Sequence, residues 1–284
     1  MESRTRHKGT AAETRPSLCF WRRSPYTRRV PALSVTIITF NEEAHIAAAI
    51  ASVAWADEIV VIDSGSTDGT VDIARQLAAR VEVRDWSGYA AQKNYAASLA
   101  RHDWVLSLDA DERVSAPMAA SLEAWRRAEP DAYGYRFART SWYFGTWMRT
   151  TDWYPDYQLR LYDRRAGAWQ PARVHESVHV RGRSALVPGE IEHYPYADVS
   201  DHLRRIDRYT SLAALDLRER GRSAGTLALL LHPVAAFLRN YILRRGIQQG
   251  RAGLAVSLLN SYYVLLKYVK LLELERLPPA GHPS

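Results

Sequence analysis

Trp104-Val-Leu-Ser-Leu-Asp-Ala-Asp-Glu112 is the stretch on which the reading of this chain turns. Five residues with a buried-strand pattern run into three carboxylates within four positions. A strand that is apolar on both faces belongs inside a sheet covered on both sides. Carboxylates at its carboxyl end therefore emerge where ligands gather in open α/β sheets.

The segments upstream repeat that plan. Ser34-Val-Thr-Ile-Ile-Thr-Phe40 reads as a first buried strand, with Asn41 as helix N-cap and Glu42–Ile50 as the helix. Glu58-Ile-Val-Val-Ile-Asp63 is a second strand, closed by the turn-rich Ser64-Gly-Ser-Thr-Asp-Gly69 and followed by a helix through Leu77. Val81–Val83 is a short strand, and Tyr89–Ala100 a helix. Alternating strands and helices at this spacing predict right-handed βαβ units and a mostly parallel sheet flanked by helices, a Rossmann-like α/β fold. Three strand ends are polar: Thr39-Phe-Asn-Glu42, Asp63-Ser-Gly65 and Asp109-Ala-Asp111.

Downstream, a helix is expected over about 115–128, then strands at Tyr133–Phe137 and Gln158–Tyr162 around an aromatic loop, Trp142–Trp147. From Asp198 the chain reads as helical, over 200–219, 226–245 and 251–276. The expected organisation is a basic leader over 1–30, an α/β domain over 31–198 and a helical C-terminal region over 199–284.

The formal net charge of +7 favours an anionic partner, and much of the excess lies in the leader, so the rest is closer to neutral. The leader has no apolar run of signal-peptide length and is expected to be disordered. Cys19 is the single cysteine, which excludes an intramolecular disulfide and suits a reducing compartment. A basic protein that binds nucleic acid without catalysis is the reading from another class; it leaves the acidic strand ends unexplained, and no nucleic acid partner is expected.

Ala224–Leu238 and Ala252–Leu266 lack Asp, Glu, Lys and Arg. Each is shorter than the roughly 20 residues that span a bilayer. Flanking arginines, lysines and tyrosines fit a helical pair on an anionic membrane surface. A helical cap packed on the α/β domain is the plainer alternative.

Two carboxylates separated by one small residue can place one oxygen on a divalent cation and another on a ribose hydroxyl. Mg²⁺ or Mn²⁺ bound there through oxygen would neutralise a diphosphate leaving group. Ser34–Glu43, Asp63-Ser-Gly-Ser-Thr-Asp-Gly-Thr70, Gln92-Lys-Asn94 and Leu108-Asp-Ala-Asp-Glu112 stand in an order and spacing that resembles glycosyltransferase family 2. Gln158-Leu-Arg-Leu-Tyr-Asp-Arg164 and Val174-His-Glu-Ser177 look like its lipopolysaccharide-core glucosyltransferase branch.

The resemblance implies a GT-A fold and inverting transfer of a hexose, glucose first among candidates, from a UDP-sugar to a glycolipid or saccharide acceptor such as lipopolysaccharide inner core. Polyprenyl-phosphate or capsule and exopolysaccharide intermediates are the alternative acceptors. It places Thr39, Asn41, Glu42, Asp63, Lys93, Asn94 and Asp109 on the nucleotide sugar and Asp111 on the metal. Glu176 is the candidate general base, and His193 a candidate further metal ligand. His175-Glu-Ser-Val-His179 matches a zinc-protease string formally, but Val174, Val178 and Val180 alternate as in a strand. The implied location is cytoplasmic, peripheral on the inner face of the cytoplasmic membrane.

Overall fold

The computed structural model describes residues 31–77, 80–171 and 176–276. The leader with Cys19, and His175, lie outside the described residues.

The first half follows the βαβ expectation. Strands β1 (Leu33–Thr39), β2 (Glu58–Asp63), β3 (Arg80–Val83) and β4 (Trp104–Asp109) pair in parallel in the order β3-β2-β1-β4. Helices α1 (Ile46–Ser52), α2 (Thr70–Gln76) and α3 (Tyr89–Leu99) are their crossovers. All seven residues of β1 are buried, as a central strand covered on both faces requires. Leu33, Val35 and Ile37 join the main core, whereas Ile38 packs with Val60, Ile62 and Ala96 of α3 on the other face.

One N-cap expectation is overturned. The first helix begins at Ile46, and Asn41 instead sits in the left-handed region at φ 53°. Its Oδ1 accepts the Thr67 N–H at 2.9 Å, so Asn41 ties the β1 turn to the β2 turn. Asparagine tolerates this backbone region better than most residues, which makes it serviceable in the turn itself.

Beyond β4 the sheet becomes mixed. The strands β5 (Glu112–Val114), β6 (Gly134–Tyr143), β7 (Thr146–Met148), β8 (Asp156–Asp163) and β11 (Ser184–His193) extend it as β4-β8-β6-β11-β5, with β7 on β6. Helix α4 (Ala116–Arg126) covers its core face through Met118, Leu122 and Trp125. Strands β9 (Gly167–Gln170) and β10 (Ser177–Val180) form a separate hairpin. Residues 177–180 being a strand removes the helical frame that a zinc-protease motif needs.

The C-terminal region is helical as expected: α5 (Val199–Glu219), α6 (Thr226–Leu238) and α7 (Gly250–Arg276). Asp198 caps α5 by accepting the Asp201 N–H at 2.7 Å. The helices are longer than the uncharged runs suggested. A π-helical turn, Arg239–Leu243, carries α6 on, so Thr226–Leu243 forms an apolar helix of 18 residues. Arg239 does not end it, because its charge is met by Asp152 outside the helix. By length and composition, this segment and Gly246–Arg276 are apolar enough to cross a membrane, which corrects the shortfall inferred from the runs alone.

Candidate active site

Asp109 ends β4 in register with Ile38 of β1, and the Ala110 N–H donates to the Ile38 carbonyl at 3.2 Å. The chain then turns into β5, which pairs antiparallel with β11 and sets Glu112 opposite His193. The Tyr194 N–H donates to the Asp111 carbonyl at 2.9 Å. The acidic turn is thus clamped by backbone bonds on both sides.

Around it lies a buried charge network. Lys93 projects from the alanine-rich face of α3 and is 2% exposed. Its ammonium is 2.9 Å from Asp109 Oδ1 and 3.3 Å from Glu176 Oε1, and it lies 4.2 Å from the centre of the Trp169 ring. Arg160, also 2% exposed, reaches Asp109 Oδ2 at 3.2 Å and Glu112 Oε1 at 2.6 Å. Glu112 is fully buried; it accepts the Asp109 N–H at 3.1 Å through Oε2 and the Arg139 guanidinium at 3.0 Å through Oε1. Buried ions persist only when paired and hydrogen-bonded, and each of these is paired. Burial alone would raise the Asp109 carboxyl, but Lys93 first and then Arg160 hold it well below the usual carboxylate range.

Asp111 has a different neighbour. His193 Nε2 lies 3.4 Å from its Oδ2, and His193 Nδ1 is 3.3 Å from Ser141 Oγ. Burial pushes the Asp111 carboxyl up, and the imidazole more than offsets it, leaving it below its ordinary value. Glu42, on the β1 turn, has no such cation close by. Burial first, then the charge of Asp111, push its carboxyl up to about 7; Arg205 opposes them, and Asp68 and Asp109 add smaller upward effects.

The remaining expected residues divide. Thr39 is buried at the end of β1, with Oγ1 unpartnered among the described residues. Asp63 is fully buried; its Oδ2 accepts the Gly65 and Ser66 N–H groups at 2.8 Å each, and the Ser66 hydroxyl donates to Oδ1. Asp63 therefore builds the β2 turn, and only Oδ1 retains accepting capacity for a ligand. Asn94 pairs with the β9 backbone: its amide donates to the Trp169 carbonyl and accepts the Trp169 N–H, both at 2.9 Å. That pair fastens α3 to β9. The amide oxygen keeps a lone pair and the nitrogen a second N–H, so this pairing does not displace a nucleotide contact. Arg164 donates to the Ala97 and Ser98 carbonyls at the end of α3.

Of the aromatic residues, Trp169 is buried beneath Lys93, and Trp153 packs with Tyr143, Tyr196 and His202. Both are structural here. Glu112 and Arg139 are the site residues that sequence reasoning had not assigned. The available signal was three acids in four positions, which demands cations nearby, and Arg160 set between the apolar residues of Gln158-Leu-Arg-Leu-Tyr162.

Asp111 and His193 offer a carboxylate and an imidazole side by side, both mostly buried yet reachable. That donor set suits a divalent cation of intermediate hardness. No group of three or more His, Cys, Asp or Glu converges for metal binding among the described residues. The arrangement therefore fits an ion whose remaining positions are filled by phosphate oxygens and water.

Comparison with known proteins bears on the family and the fold. The sequence model of glycosyl transferase family 2 matches residues 34–184. An uncharacterised glycosyltransferase of Rickettsia typhi is 32% identical over 255 residues, 85% of this chain and 87% of that protein. The lipopolysaccharide core biosynthesis glycosyltransferase LpsC of Rhizobium meliloti is 29% identical over 247 residues, covering 84% and 91% respectively. A mannosyltransferase of Pyrobaculum calidifontis, solved with GDP-mannose and Mn²⁺, superposes with a TM-score of 0.50 at 18% identity, covering 85% of this chain and 87% of that one. The last likeness bears out the GT-A fold.

Proposed function

This chain belongs to glycosyltransferase family 2, and from that premise we propose that it moves a hexose, glucose first, from a UDP-sugar to a glycolipid such as lipopolysaccharide inner core. The observation that carries the reading is the convergence of Asp109, Asp111, Lys93, Arg160 and His193 at one strand end. The similarity to a lipopolysaccharide core enzyme along most of both chains supports the acceptor class.

In this reading Asp111 and His193 hold a Mg²⁺ or Mn²⁺ ion, which would supply Lewis-acid stabilisation of the departing diphosphate. Asp109, kept ionised by Lys93 and Arg160, accepts hydrogen bonds from ribose or sugar hydroxyls. Thr39 Oγ1 and the turns held by Asn41 and Asp63 border the nucleotide, and Glu42 faces the same space. Glu176, across Lys93 from Asp109, takes the acceptor hydroxyl proton as that oxygen bonds to the anomeric carbon and the carbon–phosphate-oxygen bond breaks. Attack from the face opposite the leaving group inverts the anomeric configuration.

The unit boundaries follow the same division: an α/β catalytic part to about residue 198, then a helical part contacting the membrane surface from the cytoplasmic side. Titration with UDP-glucose, UDP-galactose and ADP-heptose, with and without Mn²⁺, tests the donor assignment. Cation-dependent binding of a UDP-sugar supports it. Binding of none contradicts it.

A further inference from the structure

The outer face of the C-terminal hairpin is apolar far beyond what a soluble surface requires. Leu227, Leu230, Val234, Leu238 and Ile242 are 70%, 62%, 56%, 45% and 56% exposed. Their spacing by three or four places them on one stripe of α6 and its π-turn. The stripe ends in Leu243, 75% exposed, and Ile247, 58% exposed, where the chain reverses. On α7, Leu254, Leu258, Tyr262, Leu265 and Val269 are exposed at the same kind of interval. Contiguous apolar surface on this scale marks an interaction site.

The charge around it selects the partner. From Gly221 to Leu272 the chain has no Asp or Glu, yet holds Arg222, Arg239, Arg244, Arg245, Arg251, Lys267 and Lys270. Arg239 and Arg244 face Asp152, and Lys270 faces Asp207. Arg245 and Arg251, at the reversal, have no acidic partner among the described residues, and both are exposed. An apolar stripe with free cations at its end is the two-signal combination that holds a protein on an anionic bilayer.

A second set of contacts bears on how deep it goes. Asn240, fully buried in the π-turn, accepts the Asp152 N–H at 2.8 Å and donates to Asp152 Oδ2 at 3.0 Å. Its Oδ1 also accepts from the Asn260 amide at 2.8 Å, and Asn260 Oδ1 accepts the Trp153 indole N–H at 3.1 Å. The inner face of the hairpin is thus hydrogen-bonded to the catalytic part near its tip. A helix crossing a bilayer would have to abandon those bonds, at a cost for each unpaired polar group.

We propose that the α6–α7 hairpin is a monotopic dock. The stripe from Leu227 to Leu243 seats in the acyl boundary of an anionic phospholipid bilayer, Arg245 and Arg251 lie among the headgroup phosphates, and the Asp152–Asn240–Asn260 network keeps the hairpin on one side. This deepens the proposed membrane contact and rests on it, not on the identity of the donor.

The test is flotation of the full chain with phosphatidylcholine vesicles, with and without one-third phosphatidylglycerol, at physiological ionic strength. The wild type is expected to float with the anionic vesicles. Leu230→Gln with Val234→Gln should lower the partition at least about tenfold, from the apolar transfer lost. Arg245→Gln with Arg251→Gln should lower it about fivefold per charge. All four positions are exposed, so UDP-sugar titration without vesicles and the thermal melting curve should match wild type. Three results overturn the dock. The wild type stays unbound; or the apolar variant floats like wild type, which leaves binding to charge alone; or sedimentation shows a dimer that the apolar variant dissolves, which makes the face a self-interface. The donor titration reads the catalytic assignment separately from each of these.

Discussion

Lys93 and Arg160 give Asp109 two cationic neighbours, whereas Asp111 is paired with the imidazole of His193. The two carboxylates of one short motif are thereby set apart: one is locked in an ion network, and the other is open to an added cation. Glu112 supports the first of these from beneath. Glu112→Leu leaves Arg160 and Arg139 short of an anion in a buried setting, and should cost about 3–5 kcal/mol in urea denaturation. A cost within experimental error of zero would mean the network is solvated in solution. Glu42 gives a prediction in pH. Its folded-state carboxyl titrates near 7, against an ordinary value of 4.5, so between these pH values the folded state holds a proton that the unfolded chain has lost. Stability of the cation-free protein should then fall as pH rises from about 5 to 8. Glu42→Gln should remove that part of the slope, of order 2 kcal/mol, as read from melting curves across the range. Parallel slopes in the two proteins would sink the assignment. At this scale Asp109, Asp111 and Lys93 were legible because an apolar strand breaking into acids has few purposes. Glu112's partners were not. Arg160 lies 48 positions away, and only the antiparallel pairing of β4 with β8 brings it across. The Asn94 pairing was hidden for a related reason: its partner, Trp169, is on a hairpin whose docking against α3 leaves no periodic trace.

Among the elements, the parallel strands could be read directly, since strands buried on both faces appear as unbroken apolar runs. The start of α1 was misplaced because Asn41 has two uses, helix cap and left-handed turn, and the bond from Thr67 that decides between them comes from another loop. The extents of α6 and α7 match the expected 226–245 and 251–276, and only their apolar length was underestimated. Counting uncharged residues stops at Arg239, whereas the fold neutralises Arg239 with Asp152 and continues the helix. The hairpin itself depends on a close approach that no sequence pattern displays. A Cβ on Gly253 would lie 1.9 Å from the Gly246 carbonyl oxygen, so the first turn of α7 sits directly on the chain reversal. Gly253→Ala should therefore destabilise the protein by about 1–3 kcal/mol through overpacking. Hydrogen exchange should rise first in 239–260 and leave β1–β4 protected. Uniform loss of protection would show that the hairpin and the sheet unfold as one unit.

On the scale of the whole molecule, two regions of opposite character share one chain. The α/β part concentrates acids at a strand end, and the hairpin carries bases with no acid for some fifty residues. The aromatic cluster of Tyr143, Trp153 and Tyr196 joins them by packing with Ala252, Val256 and Leu259 of α7. In the proposed function, such a layout presents a lipid-linked acceptor to a site charged by a soluble donor. Asp111, in the same proposal, carries the cation through which a nucleotide diphosphate sugar binds. Calorimetric titration of the protein with UDP-glucose, with and without Mn²⁺, beside the Asp111→Asn variant, addresses it most directly. Binding is expected to need Mn²⁺ in the wild type and to fall by at least about a hundredfold in the variant, the loss of one charged ligand from a small coordination set. Equal affinity with and without Mn²⁺, or an Asp111→Asn variant that binds like wild type, would contradict it.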